Sequence, residues 1–311
     1  MSETKSKFNA VVFPGQGAQK LGMAKDFIEQ YPAASKVFAM ANQILPFDIN
    51  EVCHENIDML NQTNYTQPAI LVAEIAMYEV LKSEFGFQPK AFAGHSLGEY
   101  SALTAAGVIS FETALEMVTK RGELMNQAAS DGTMTAIIMD EIPFTEVTDI
   151  ANQNQVDVAN DNSIQQVVLS GLKSNMASAI DALSQHYSNL PFRAVPLTVS
   201  SAFHSRWMEP VEHSFLSFLQ PFKSNINATH LPQVASNYLG GFYPADEDQL
   251  ITALAKQISG SVKWRNNMAL LKSMQILELG PNRPLRGFFK TIGVDITSVI
   301  NVKSATKAFN T

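Results

Sequence analysis

Apolar positions along this chain alternate between short unbroken runs and longer stripes of 3.6-residue period, the pattern of buried strands set between helices. Residues 8–13 are apolar except for one asparagine and end at Pro14-Gly15-Gln16-Gly17, which predicts a buried strand, a tight loop and a helix beginning over 21–29. An apolar-periodic segment after Thr66-Gln67-Pro68 predicts a buried helix over 69–81. Residues 89–92 predict a strand, 99–108 a helix, and 111–128 a further helix capped by Ser110.

From Thr133 the texture changes. Strands over 133–139, 156–160, 166–170 and 192–197, with helices over 143–151 and 173–187 and a turn at Asp161-Asn162-Ser163, give the order β-α-β-β-α-β of a ferredoxin-like unit. Beyond it come a helix over 208–219, a strand over 233–236, helices over 246–258 and 262–272, and a strand over 275–279. A Gly280-Pro281 turn, a helix over 284–291 and a strand over 298–302 close the pattern. The reading is α/β: a discontinuous larger subdomain with a parallel sheet over 1–130 and 199–311, and a small inserted subdomain over 131–198.

Composition narrows the function. With 311 residues, 46% hydrophobic and 16% charged, the chain suits a globular fold with a sizeable core. Its net charge of −7, with no block of Lys or Arg, excludes a nucleic-acid backbone as partner. No apolar stretch approaches the ~20 residues of a membrane span, and residues 1–7 lack a secretory core. The single cysteine, Cys53, allows no internal disulfide and fits a reducing, cytoplasmic setting; no motif surrounds it to suggest a reactive thiol.

The candidate chemistry centres on Gly94-His95-Ser96-Leu97-Gly98, which lies between a predicted strand and a predicted helix. That is the context of a nucleophile elbow: glycines permit close backbone approach, and the helix N-terminus favours developing negative charge. The alternative is a buried turn with an inert serine. A serine nucleophile needs a base. His95 on the elbow should face away and orient the turn, while His54, His186 and His230 read as solvated. His204, at the return from the inserted unit, is the candidate base, with His213 the runner-up. Nothing after His230 can supply the late histidine of an ordinary hydrolase, so the chain uses a Ser–His pair or the elbow is inert. Arg121, inside an apolar helical stretch, is either solvated or salt-bridged, or a bidentate fork for a carboxylate substrate. Arg283, Arg286 and Lys290 form a basic face that is either plainly solvated or a docking element.

The chain resembles the malonyl-CoA:acyl carrier protein transacylases, including the free-standing acyltransferases of polyketide assembly lines. The resemblance runs from about Phe8 to Val302. It rests on Phe13-Pro14-Gly15-Gln16-Gly17, Tyr65-Thr66-Gln67-Pro68-Ala69, Gly94-His95-Ser96-Leu97-Gly98-Glu99-Tyr100, Lys120-Arg121-Gly122, Ala202-Phe203-His204-Ser205 and Glu278-Leu279-Gly280-Pro281. It implies an α/β-hydrolase-like large subdomain with a ferredoxin-like insert. It implies Ser96 as acyl-accepting nucleophile, His204 as base, the N–H groups of Gln16 and Leu97 as oxyanion hole, and Arg121 as clamp for the malonyl carboxylate. Gln257 matches the residue whose carbonyl orients the histidine, and Asn160 and Asn162 match polar residues near the cleft. Phe203 would crowd a methylmalonyl branch, although one methylene is worth only ~1–3 kcal/mol.

The implied partners are malonyl-CoA and an acyl carrier protein, with no cofactor or metal and a monomeric chain. An acidic carrier would need a basic rim, for which Arg193, Arg283, Arg286 and Lys290 are candidates. The stretch His204-Ser205-Arg206-Trp207-Met208 leans toward the polyketide members. Asn282, Ile164 and Thr133 depart from the family pattern at positions read as turns, and Ser201 stands where glycine is common. An acyl hydrolase of the same fold, editing carrier proteins, is the alternative; it has no use for a carboxylate clamp.

Overall fold

The computed structural model describes residues 7–128 and 131–309. The polar start of the chain at 1–6 and residue 130 at the expected subdomain boundary lie outside these residues. β1 (Ala10–Phe13) is buried at all four positions and stops at the Pro-Gly loop. Helices α1 (Lys25–Gln30), α2 (Pro32–Ile44), α3 (Ile49–His54) and α4 (Ile57–Leu60) follow. α5 (Thr63–Phe85) begins six residues before the predicted helix and carries Pro68 within it, ending at Gly86 with φ 63°. Tertiary contact overrides the bias against helix ahead of a proline: Gln67 is buried and accepts a hydrogen bond from Arg121. β2 (Ala91–Gly94), α6 (Gly98–Ala105) and α7 (Phe111–Asn126) complete this part, with the Ser110 hydroxyl accepting from the N–H of Thr113 as the cap.

The inserted unit runs β3 (Gly132–Ile138), α8 (Phe144–Gln153), β4 (Asp157–Ser163), β5 (Gln166–Leu172), α9 (Lys173–His186) and β6 (Arg193–Pro196). Its sheet has the order β4-β5-β3-β6 with antiparallel neighbours, a ferredoxin-like arrangement. Asp161-Asn162-Ser163 is not a turn. β4 continues through it with two register shifts, and the reversal falls at Ile164-Gln165. These polar residues stay buried because distant groups satisfy them: Asp161 pairs with Arg265, and Asn162 with His95. Thr133, read as a turn position, lies inside β3.

The chain then forms α10 (Glu209–Leu219), β7 (Ala235–Ser236), β8 (Gly241–Phe242), α11 (Glu247–Ser259), α12 (Trp264–Leu271) and β9 (Ile276–Leu279). α13 (Leu285–Lys290), β10 (Thr297–Val299) and α14 (Val302–Phe309) end it. The main sheet is parallel, in the order β10-β9-β1-β2. The strand expected over 233–236 is only β7, paired with β8 in a small antiparallel hairpin and touching β2 through one Val234–Phe92 bridge. The last strand stops at Val299, and Val302 instead opens α14, its N–H held by the Asp26 carboxylate. Because β1 and β2 are adjacent and parallel, the loop carrying Gln16 and the turn carrying Ser96 leave the sheet at one edge, where α/β folds bind ligands. Among the described residues no helix is long and apolar enough to cross a membrane. Cys53 is fully buried and burial raises its thiol pKa, so it is an inert core residue.

Candidate active site

Ser96 sits at the end of β2 with φ 52°, a left-handed conformation that side chains rarely adopt. Both flanking glycines are forced by contact. A Cβ on Gly94 would fall 1.8 Å from the backbone of Gly98, and one on Gly98 would fall 2.2 Å from the carbonyl oxygen of Phe13. The turn is thus pressed against β1 and can only be built from glycine at those positions. The β1 loop is equally close: a Cβ on Gly15 would lie 2.3 Å from the carbonyl oxygen of His95 and 3.5 Å from the nitrogen of Leu97. Gln16 follows directly, its side chain donating to the Thr63 hydroxyl.

His204 comes from a distant segment. Its Nε2 is 2.8 Å from Ser96 Oγ, and its Nδ1 is 2.6 Å from the backbone carbonyl oxygen of Gln257 in α11. A carbonyl only accepts, so Nδ1 carries the proton and Nε2 is free to accept from the serine hydroxyl. Burial, with Arg121 nearby, pushes the imidazole down to about 3, so the ring is neutral at physiological pH. His213, the runner-up, is exposed on α10.

Arg121 is only 1% exposed, which removes the solvated reading. Its Nη1 donates to Gln67 Oε1 (2.8 Å), and its Nη2 donates to Gln257 Oε1 (2.9 Å) and Ser96 Oγ (3.0 Å). The guanidinium also lies over the Tyr100 ring at 5.7 Å. Ser96, His204, Arg121, Gln16, His95 and Phe203 are among the residues that line a cavity of about 110 Å³.

Behind these groups lies a buried polar layer that sequence reading left without a role. Glu99 accepts from the Tyr243 hydroxyl, from Gln257 Nε2 and from the N–H of Asn237 (3.2 Å). Asn237 in turn accepts from the N–H of Ser96 (2.7 Å) and donates to the carbonyl of Gly94 (2.7 Å). Burial pushes the Glu99 carboxyl up to about 7, against the hydrogen bonds of Tyr243, Gln257 and Asn237 and the charge of Arg121, which favour ionisation. Glu99 stands inside the elbow motif and Gln67 inside the Tyr65–Ala69 motif, but nothing around Asn237 or Tyr243 signals a site.

The remaining candidates divide. His95 is turned toward Asn162, donating from Nε2 to Oδ1 at 2.7 Å, and packs edge-on against Trp264. Asn160 also lines the cavity. His54 and His230 are half-buried rather than solvated, held by the carbonyls of Met23 and Ala106 respectively; His186 is exposed. Arg283 and Arg286 line a separate surface pocket with Lys7 and Lys307, while Arg193 is exposed on the edge strand β6 and Lys290 at the end of α13. Among the described residues no group of three or more His, Cys, Asp or Glu side chains forms a metal-ligand set.

Residues 10–243 match the acyl transferase domain family. The chain is 36% identical over 285 residues to the polyketide biosynthesis protein PksE of Bacillus subtilis, covering 90% of this chain but 36% of that protein, so it spans about a third of that relative's length. To the malonyl CoA-acyl carrier protein transacylase of Escherichia coli K12 it is 35% identical over 308 residues, 96% of this chain and 97% of the relative. A malonyl-transacylase solved in complex with its type II polyketide acyl carrier protein superposes with a TM-score of 0.89 at 32% identity, over 97% of this chain and 98% of that one.

Proposed function

We propose that this chain, which belongs to the acyl transferase domain family and within it to the malonyl-CoA:acyl carrier protein transacylases, moves a malonyl group from malonyl-CoA to the phosphopantetheine thiol of an acyl carrier protein. The observation that carries the reading is the meeting of three groups at one oxygen: Ser96 Oγ lies 2.8 Å from the histidine nitrogen and 3.0 Å from the guanidinium. A hydrolase needs the first contact but not the second.

In the first half-reaction Ser96 Oγ attacks the thioester carbonyl and gives its proton to His204 Nε2. The carbon–sulfur bond breaks, and the proton passes from His204 to the departing CoA sulfur. In the second half-reaction His204 takes the proton of the carrier's thiol, the sulfur attacks the malonyl ester, and Ser96 Oγ leaves with the proton returned to it. The N–H groups of Gln16 and Leu97 hold the oxyanion in both steps; removing one such donor typically costs about 10²–10³ in rate. The Gln257 carbonyl holds the imidazole in the tautomer the attack requires.

Arg121 selects the acyl group. One hydrogen of Nη1 is unused, and one of Nη2 is released when substrate takes the place of its bond to Ser96. Together they form a fork for the free malonyl carboxylate, in a cavity sized for a short acyl chain, with Phe203 crowding a branched one. No step calls on a cofactor. We divide the chain into a larger subdomain over 1–130 and 199–311 and an inserted one over 131–198, with the cleft between them, and place it in the cytoplasm, with which its one buried cysteine is compatible.

Brief exposure to malonyl-CoA followed by mass spectrometry of the peptide containing Ser96 tests the reading. A malonyl adduct on Ser96, absent in Ser96→Ala, is expected; an unmodified serine overturns it.

A further inference from the structure

One carboxylate stands behind all three groups that meet at Ser96. Glu99 accepts from the backbone N–H of Asn237, whose side-chain amide accepts from the Ser96 N–H and donates to the Gly94 carbonyl at the strained turn. It also accepts from Gln257 Nε2, and the same amide takes Arg121 Nη2 on its oxygen while its backbone carbonyl holds His204 Nδ1. Gln257 Nε2 reaches the backbone carbonyl of Ser96 as well (3.1 Å). Gln257 and Glu99 are fully buried, so neither water nor another group can replace these partners.

We propose that Glu99 is a positioning residue for acyl transfer, holding Ser96, His204 and Arg121 in register through Asn237 and Gln257, and that it does so only as a carboxylate; this rests on the function proposed above. The chemistry of its partners requires the ionised form. Gln257 Nε2, the Asn237 N–H and the Tyr243 hydroxyl all donate to Glu99. A protonated Glu99 brings a fourth hydrogen into a site built to supply them. The amide of Gln257 then loses its strong acceptor, and if it turns over it presents N–H groups to the guanidinium of Arg121. The malonyl clamp suffers first, because Arg121 is placed by that amide's oxygen.

The charged and titratable groups that face Glu99 are Arg121 of α7, Tyr100 of its own helix and Tyr243 after β8. Burial brings its titration to about 7, whereas His204 is held down to about 3 and stays neutral across the neutral range. A titration near neutrality in the free enzyme is thus assigned to Glu99, and the Glu99→Gln comparison separates it from a titration of the base.

The experiment measures the second-order rate constant for Ser96 acylation between pH 5.5 and 8.5, with malonyl-CoA and with acetyl-CoA. In the wild-type chain the malonyl rate is expected to rise with pH through a midpoint about 7. In Glu99→Gln that midpoint disappears, and the malonyl rate at high pH falls on the order of tenfold or more, the worth of one charged hydrogen bond. Acetyl transfer falls less, since it makes no use of the clamp. Tyr243→Phe removes one donor that favours the carboxylate and leaves Ser96, His204 and Arg121 untouched, so it moves the midpoint to higher pH. A Glu99→Gln chain that keeps the wild-type midpoint, or a Tyr243→Phe chain in which it does not move, overturns the inference. Equal losses for the two thioesters also overturn it. A wild-type chain that takes up no malonyl group overturns the proposed function itself, which is a separate outcome.

Discussion

Ser96 and His204, 108 positions apart, both hold the left-handed backbone conformation, with φ of 52° and 57°, and this brings Oγ to 2.8 Å from Nε2. A non-glycine residue in such a conformation costs of order 1–3 kcal/mol, so each must be held from outside. His204 is tied by its N–H to the carbonyl of Ile258 at the end of α11, and Ser96 by its N–H to Asn237. The strain is the means by which the serine is raised above its strand and the imidazole is turned to meet it.

Asn237→Ala removes the anchor on one side. It leaves the Ser96 N–H and the Gly94 carbonyl without their partner in a buried site, at about 1–3 kcal/mol for each group left unpaired. Urea unfolding should show a lower midpoint with an unchanged slope, and the rate of Ser96 malonylation should drop. A variant as stable and as fast as wild type would mean that the turn holds itself.

Arg121→Lys keeps the charge and loses the fork. Of the three acceptors that the guanidinium now reaches, Gln67, Gln257 and Ser96, a single ammonium cannot hold the same set in the same geometry. Malonylation should fall about tenfold or more, by the loss of a charge-assisted bond, while acetylation falls less. The ratio of the two acylation rates decides the matter: if Arg121→Lys and Arg121→Ala both retain the wild-type preference for malonyl-CoA, the clamp is wrong.

Most of the frame was legible because local pattern and tertiary need agree. β1 and β2 are short, apolar and buried, and the glycines of the elbow mark backbone contacts that no side chain could share. α2 lies outside the predicted elements although its buried positions, Ala34, Val37, Phe38 and Ala41, follow helical spacing. The segment Asp161-Asn162-Ser163 departs from its predicted turn for a physical reason: polar residues signal a turn unless partners far along the chain, here Arg265 and His95, satisfy them in a strand. The same holds for the layer behind the site. Glu99, Asn237, Tyr243 and Gln257 act as a unit only because the fold brings together residues up to 158 positions apart, and no local spacing encodes that.

Buried carboxylates should make this protein lose stability as pH rises. Glu74 is fully buried with Oε1 unpartnered, and burial, with Glu278 adding its charge, raises its pKa well above the ordinary carboxylate value; burial likewise pushes Glu278 up to about 7. The folded chain therefore binds more protons than the unfolded one above about 4.5, and each group's contribution is lost as pH rises through its folded value. His204 and His95 are shifted the other way, so their effect is essentially complete about one pH unit above their ordinary value of 6.5. Above that point only the carboxylates still act. Glu74→Gln should flatten the decline in unfolding free energy between pH 6.5 and 8.5 by up to ~1.4 kcal/mol per pH unit, the value for one proton. An identical slope in variant and wild type would show that Glu74 is not the group that titrates.

The proposed transfer poses a problem of charge, since a chain with net −7 would receive a carrier that is expected to be acidic. Arg193, Arg283 and Lys290 are exposed, and Arg286, half-buried in α13, shares a pocket with Arg283. Reversing these residues singly to glutamate should raise the KM for carrier protein by about two- to fivefold each, the worth of one exposed ion pair. It should leave malonylation of Ser96 by malonyl-CoA unaltered, because none of them touches the cavity at Ser96. Added salt provides the second arm. Screening should raise the wild-type KM and do less to the reversed variants, which have already lost the attraction. Residues whose reversal changes neither KM nor its salt dependence lie outside the docking surface; if all four behave so, the carrier approaches by another face, and the net repulsion is overcome elsewhere.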